Sequence, residues 1–578
     1  MATIYCSKAT GNYAKIDFLD CTEEEAKVVE KHMYNWFSYF NEKKMFTWEY
    51  EQGRTDAVEH IYDAKKHLLP IGLLPMLKVR TKMFPNYKLA ISEDIRALFT
   101  PKTPVTEEDI RKYAETLSMV NKEGKKITPY DHQVKLILRA LNGRRISLMA
   151  CTAAGKSLAM YIMSRYLLEK EHKKVLIITP SSALVEQLYS NFKDDYGWKE
   201  VDDYCTLIHG ESKDKLTASD KQKLSDLNLG EEVMLKDITI STWQSLQNKP
   251  DKFFAVFGAI ITDEAHGVRG IQLREILDKC VNAEDFKVGV SGTLPDNGLD
   301  AALIESALGR KEVVVRSYEL IQKGVLSTLE IYGIRIPYPQ DKAMYMCRQN
   351  YKTEFAVLTN NGSRKVVMDL LISSGYINTE QNTVILYKKK DTLEDMHQYL
   401  REKYPQFKYH VIIGEVSPLE RDKMRGEVNS SKGNIIIATY GTMKQGVNIE
   451  FLHNLVFAEF SKSMYEVVQS IGRVIRFHKD KEIARVYDIF DDCSYTTRGG
   501  NTKENYSLKH YKTRLKYYKD DLFPVKEINL RGVFEGSITA DPNKKNKPKK
   551  ERKTTGRKKK ETKAVPKFYA KNYTPQVW

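Results

Sequence analysis

Three short stretches hold residue types suited to phosphate chemistry. The first is Ala150-Cys-Thr-Ala-Ala-Gly-Lys-Ser157. Placed between a strand and a helix, such a loop aims the backbone N–H groups of Thr152, Ala153, Ala154 and Gly155 at a phosphate. The helix N-terminus adds positive potential. Lys156 would meet the β- and γ-phosphates of ATP, and Ser157 would ligate Mg2+. The second stretch is Asp263-Glu-Ala-His266, which follows an apolar run 107 residues after the lysine. A carboxylate pair at the end of a strand sits where α/β sheets bind ligands. Asp263 would hold Mg2+ through water, and Glu264 would orient and deprotonate an attacking water. The third is Gln469-Ser-Ile-Gly-Arg-Val-Ile-Arg476. Arg473 and Arg476, three apart on a predicted helix, supply the positive charge that phosphoryl transfer needs in its transition state. Gln469 belongs to the same catalytic set. The bland readings are a structural turn, an acidic strand cap and solvated arginines. Each is plausible alone, and the three together outweigh them.

These residues need a scaffold that brings distant segments to one edge. From Ile127 the sequence alternates apolar runs with amphipathic stretches. Strands are predicted at Ile146–Ala150, Lys174–Thr179, Ile238–Ser241, Ala259–Thr262 and Val288–Ser291, with helices at Ser157–Lys170 and Ala183–Phe192. A second block shows strands at Thr383–Tyr387, His410–Ile413, Asn434–Ala438, Asn454–Ala458 and Ala484–Asp488. Alternation at this spacing predicts parallel sheets with crossover helices. The expected fold is α/β: two tandem parallel-sheet domains at 127–325 and 326–530, which the family resemblance given below implies are RecA-like. A small α+β domain at 1–99 and a connector at 100–126 precede them. The connector reads as polar and helix-like.

Composition narrows the class. The chain has 578 residues, too many for one core, and its 42% hydrophobic content is that of a globular protein. Net charge is +16, but 543–563 holds twelve Lys and Arg against two Glu, so the body is only mildly basic. The segment 531–578 is predicted to be a disordered basic tail that raises non-specific affinity for nucleic acid. Its aromatic tip, Phe568 to Trp578, suits base stacking or a partner protein. Seven scattered cysteines without a CxxC pair argue against zinc and for a reducing compartment. Residues 1–20 lack a signal-peptide core, and runs such as Ala255 to Ile261 are too short to span a bilayer. The expected location is cytoplasmic, with no membrane partner.

In order along the chain, the three stretches resemble superfamily 2 helicases, and further matches fill the gaps. Gln133, in Pro129-Tyr-Asp-His-Gln133, resembles that family's adenine-reading glutamine. Thr179-Pro-Ser181 and Ser241-Thr242 resemble its backbone-contacting motifs. Ser291-Gly-Thr293, with His266, resembles the elements that couple hydrolysis to unwinding. Tyr387-Lys-Lys-Lys390 stands where motif IV is expected. Ala438-Thr-Tyr-Gly-Thr-Met-Lys-Gln-Gly-Val-Asn448 resembles motif V, which implies a nucleic-acid contact from Thr439 and a nucleotide contact from Gly446. Three positions depart from the family pattern: Cys151-Thr-Ala153 in motif I, Gly292 in motif III and Asn448 in motif V.

The layout is closer still to the phage UvsW family of recombination helicases. Shared features include His67-Leu-Leu-Pro-Ile-Gly-Leu-Leu74, Gly414-Glu-Val with Arg421, and Val486-Tyr-Asp-Ile-Phe-Asp-Asp492. The resemblance implies ATP-dependent remodelling of branched DNA: fork regression, junction branch migration and dissociation of RNA–DNA hybrids. It implies duplex–single-strand junctions as substrates, a monomer as the working unit, and recombination or single-strand-binding proteins as partners. Several alternatives remain open from the residues. They are a duplex translocase that separates no strands, an RNA helicase, and a scaffold on an inactive core. The N-terminal unit reads equally as a duplex clamp or a packing domain, and Lys388–Lys390 as a charge patch or a solvated turn.

Overall fold

A computed structural model describes residues 2–210, 230–414, 416, 418–444, 449, 451–461 and 463–530. Motif V beyond Met443, including Gly446 and Asn448, and the tail 531–578 fall largely or wholly outside them.

The two alternating blocks form two seven-stranded, all-parallel sheets, the tandem RecA-like architecture. In the first, the spatial order is Lys311–Val315, Arg145–Ala150, Lys287–Ser291, Ala259–Asp263, Val175–Thr179, Ile238–Thr242 and Cys205–Ile208. In the second it is Lys408–Ile412, Asn434–Thr439, Thr383–Tyr387, Asn454–Phe457, Ile483–Asp492, Thr328–Pro337 and Val525–Asn529. The central strands are near-continuous apolar runs such as Leu176-Ile-Ile178 and Ile435-Ile-Ile437. All six of these side chains are buried, as strands covered by helices on both faces must be.

Four of these fourteen strands, Cys205–Ile208, Lys311–Val315, Thr328–Pro337 and Val525–Asn529, are absent from the sequence reading. Three of them are sheet edges, where one side lacks a neighbour and polar residues such as Lys311, Lys526 and Glu527 break the apolar pattern.

The polar stretch 100–121 contributes the helix Glu107–Thr116, opened by a Thr106/Asp109 capping box. Its apolar face buries Ile110, Tyr113 and Ala114 in the core of the first parallel sheet.

The N-terminal α+β unit has its own core and a four-stranded sheet, ordered Leu68–Pro70, Tyr13–Leu19, Ala2–Lys8, Tyr87–Ile91. The helix Glu23–Trp36 packs on it, started by a Thr22/Glu25 capping box. This unit docks onto the first RecA-like domain at two places. At Gly72, an added Cβ would lie 2.0 Å from the Glu305 carbonyl oxygen, so only glycine permits the approach. At Asn12, Oδ1 accepts from Lys287 Nζ (2.8 Å) and Arg145 Nη1 (3.3 Å). Both cations are fully buried at the starts of adjacent strands. Burial, then the Arg145 charge, pushes the Lys287 amine down to about 7.

Candidate active site

The loop read as a phosphate cradle lies between a strand and a helix. The strand Arg145–Ala150 runs into a turn in which Ala153 and Gly155 take left-handed φ values of +68° and +72°. The helix Lys156–Glu171 starts directly after Gly155. Ala153 occupies a backbone region that favours glycine, and such strain gathers at functional loops. Lys156 Nζ lies 3.3 Å from both the Ala150 and Cys151 carbonyl oxygens, folded back over the loop. Ser157 follows on the first helical turn.

Gln133 packs beneath this loop. Its Nε2 donates to the Ala154 and Gly155 carbonyls (3.2 and 3.4 Å), while its Oε1 accepts from Tyr130 N–H (2.8 Å). A Cβ on Gly155 would lie 2.0 Å from Gln133 Nε2. His132 Nε2 also reaches the Ala154 oxygen, at 2.9 Å. The glutamine thus holds the loop's shape from below.

Asp263 ends the strand Ala259–Asp263, two strands away from the loop in the sheet, and Glu264 turns out of it at φ +51°. Asp263 Oδ1 accepts the Glu264 N–H (2.9 Å). Glu264 Oε2 accepts from Ser291 Oγ (3.1 Å) and faces His266 Nδ1 (3.4 Å). Ser291 in turn contacts the Thr293 carbonyl (2.9 Å) and His266 Nδ1 (3.2 Å), so His266, Ser291 and Thr293 form one chain of contacts leading from Glu264.

Electrostatics separate the two carboxyls. Burial, then the charge of Glu264, raises the Asp263 carboxyl. Burial would raise Glu264 too, but the His266 hydrogen bond, Lys156 and Ser291 outweigh it and lower that group. A half-buried carboxylate pair beside Lys156 suits a hard divalent cation. The Ser157 hydroxyl and Asp263 carboxylate are the oxygen donors that Mg2+ takes.

The second domain closes this site. Gln469 Nε2 donates to Glu264 Oε1 at 2.7 Å, a bond 205 residues long in sequence. One turn later Gly472 lies against the loop: an added Cβ would sit 2.1 Å from Thr152 Cβ. Gly292 abuts the same threonine, its notional Cβ 3.0 Å from Thr152 Oγ1. Arg473 lies on the same helix, Met464–Val474. The expectation that Arg476 shares its face is corrected. The helix ends at Val474 with Ile475 as its cap, and Arg476 pairs in a bridge with Leu326, its carbonyl accepting from Ser327 Oγ (3.0 Å). The backbone finds a strand-like partner there, which ends the helix.

The sequence reading missed Gly472 as a contact residue. A glycine inside a helix costs about 1 kcal/mol relative to alanine, and that cost was the available signal.

The residues expected to meet nucleic acid sit at strand ends. Thr179 is buried, its Oγ1 donating to the Ser181 carbonyl (3.2 Å). Thr242 and Thr439 cap the helices that follow them, accepting from the Ser245 and Thr442 N–H groups (both 3.3 Å). Their hydroxyls are engaged locally, which fixes the turns and their backbone groups. Lys388 and Lys389 start a turn built on buried Glu459, whose Oε2 accepts both their N–H groups (2.6 and 3.1 Å), leaving the side chains exposed.

A phosphate loop, a strand-end carboxylate pair and a second parallel-sheet domain reaching across to them define a nucleotide-hydrolysing two-domain motor. Two family models match in the corresponding order: the DEAD/DEAH box helicase over 130–301 and the helicase conserved C-terminal domain over 363–478. The chain is a superfamily 2 helicase, an enzyme that hydrolyses ATP and binds nucleic acid.

It is similar to the ATP-dependent DNA helicase uvsW of Enterobacteria phage T4, at 28% identity over 89% of this chain and 97% of that one. A putative ATP-dependent RNA helicase of African swine fever virus, QP509L, is 22% identical over 45% of this chain and 52% of its own. Among solved structures, that of T4 UvsW is 27% identical, covering 91% of this chain and all of that one, with a TM-score of 0.46. Among the described residues, no helix is long and apolar enough to cross a membrane.

Proposed function

We propose that this helicase remodels branched DNA, regressing forks, moving four-way junctions and removing RNA from R-loops. The observation that carries the motor part is the Gln469–Glu264 hydrogen bond. It ties the second domain to the carboxylate that would orient the attacking water. Hydrolysis is then competent only with the cleft shut, and alternate opening and closing moves the two domains along a strand.

In this reading Thr152 to Gly155 cradle the phosphates, and Lys156 leaves its two carbonyl partners for the γ-phosphate. Ser157 and Asp263 hold Mg2+, which when bound neutralises charge on the phosphates. Glu264, the carboxyl held in its ionised form, takes the proton from water. Gln469 fixes the orientation of Glu264, and Arg473 and Arg476 stabilise the transition state. Ser291, Thr293 and His266 pass the state of Glu264 to the loop that follows. Gln133 braces the loop beside adenine, and Gly446 completes the nucleotide contact. Thr179, Ser181, Thr242 and Thr439 set the backbone groups that meet phosphates, a contact mode that ignores sequence. We also propose the division 1–99, 100–126, 127–325, 326–530 and 531–578, with the first unit gripping duplex.

Support for DNA over RNA comes from likeness over 89% of the chain to a protein named as a DNA helicase. The likeness to one named as an RNA helicase covers under half the chain. The test compares ATPase stimulation and strand movement on four-way junctions, forks, R-loops and plain RNA duplexes. Activity on the first three is expected. Stimulation confined to RNA duplexes, or hydrolysis without strand movement on any substrate, overturns the reading.

A further inference from the structure

The second parallel sheet carries an aromatic and basic face that the nucleotide site does not use. Its strands end on one edge at Tyr387, Thr439, Phe457 and Asp492. Just past those ends, Tyr351, Tyr506 and His510 come together. The Tyr351 and Tyr506 rings meet edge-on, centroids 5.7 Å apart, and Tyr351 lies 5.7 Å from His510. Tyr506 is 38% exposed. Lysines surround the group: Lys388 Nζ donates to Tyr351 Oη (3.4 Å), and Lys509 Nζ lies 5.5 Å from the Tyr506 centroid.

Two of the nearby carboxylates are turned inward, and Glu466, partly buried, accepts from the Ser461 hydroxyl. Glu354 is fully buried and accepts the Tyr506 and Ser507 N–H groups (both 2.9 Å). Glu459 is spent on the Lys388 turn. From this edge the helix Tyr506–Asp520 runs away with Lys509, Lys512, Lys516 and Lys519 exposed. At 100° per residue those four fall within about 80° of arc, a stripe about 15 Å long. Lys512 pairs with Glu504, and Asp520 is the exposed acid at the far end.

We propose that this face is a contact track for a single nucleic-acid strand: a base stacks on Tyr506 and the phosphates follow the lysine stripe. An exposed ring flanked by ammonium groups is the chemistry that holds single strands without reading sequence. A protein partner of acidic character would use the lysines but not the ring. Duplex DNA would offer phosphates but no open base. The track shares its edge with Thr439, so a strand passing the motor would continue onto it. The inference rests on the nucleic-acid-driven motor reading and adds a strand path to it.

The experiment titrates the full-length protein into fluorescein-labelled oligo-dT and into a blunt duplex of equal length, by anisotropy, at several salt concentrations. Tyr506→Ala is expected to weaken oligo-dT binding about ten-fold, the order of one base–ring stack, and to leave the duplex unchanged. Tyr506→Phe, which keeps the ring, should restore binding. Replacing Lys509 and Lys516 by alanine should reduce the single-strand salt slope by about 1.4. Wild-type oligo-dT affinity in both the alanine variant and the double lysine variant would overturn the proposal, as would an equal loss on duplex. Basal ATPase is expected to stay at the wild-type level in all of them. If DNA still stimulates hydrolysis while these binding changes fail to occur, the motor reading stands and the track falls.

Discussion

Gly472→Ala should give a more helical but far slower enzyme. The added Cβ would lie 2.1 Å from Thr152 Cβ, 2.4 Å from its Cγ2 and 2.8 Å from its Oγ1. Ordinary carbon contacts begin at about 3.5 Å, so the helix must retreat by about 1.5 Å. That retreat would stretch the Gln469–Glu264 bond from 2.7 Å to about 4 Å, which is no longer a hydrogen bond. A misplacement of about 1 Å at a reacting centre costs on the order of 100-fold in rate, so kcat for DNA-stimulated hydrolysis should fall by about that factor. The clash meets the Thr152 side chain, while the backbone N–H groups that would hold the phosphates stay in place on the first domain, so ATP affinity should change less than kcat. Alanine is favoured over glycine inside a helix by about 1 kcal/mol, so the melting temperature should not drop. Steady-state ATPase, a fluorescent-nucleotide titration and a thermal melt measure the three quantities. A kcat close to that of the native protein would refute the closed-cleft reasoning. A parallel fall in ATP affinity would place the clash in binding rather than in closure.

Other perturbations reach different parts of the argument. Lys156→Ala should abolish DNA-stimulated ATP hydrolysis, and unchanged turnover would remove the phosphate role from that loop. Arg476→Ala should lower hydrolysis far more than nucleotide affinity, because its proposed partner is charge present only in the transition state; equal losses would count against it. Lys287 titrates near 7 when folded and near 10.5 when unfolded, so between those values the unfolded chain binds the proton and the folded one does not. Stability should therefore rise as pH climbs from about 7 toward 10. Lys287→Met should lack that rise in urea midpoints measured at both ends, and an identical pH response in the two proteins would sink the account.

The parallel sheets were legible because their central strands are apolar throughout, a pattern only doubly covered strands show. Thr383–Tyr387 matches its sequence-based bounds at both ends. Edge strands were not legible, because Lys526 and Glu527 on Val525–Asn529 face water and break the run. The order of Lys156, Asp263 and Gln469 along the chain announced a nucleotide site. It did not reveal that Gln469 reaches Glu264, since nothing local encodes a contact spanning 205 residues. The end of the motif helix at Val474 was hidden for a related reason. Arg476 is a good helix former, and the pairing with Leu326 that takes its place is tertiary. Gly72 sat in an apolar run whose meaning appears only when the Glu305 carbonyl is placed against it.

The docking of the N-terminal unit constrains what can move. Asn12 grips Arg145 and Lys287, which open two neighbouring strands of the first parallel sheet. The same strands end at Ala150 and Ser291, one entering the phosphate loop and the other touching Glu264. A strand of five or six residues is about 17–20 Å of fully paired backbone, stiff along its length. The N-terminal unit and the phosphate loop are therefore two ends of one rigid element, and a hinge between them would require breaking a buried polar cluster. The two parallel sheets share one buried apolar core and meet again at the site. The described contacts there include Gly472 against Thr152 and the Gln469 amide on the Glu264 carboxylate. In the proposed motor the working stroke would fall between the two RecA-like domains, and any grip of the N-terminal unit on duplex would reach the ATP site through these two strands.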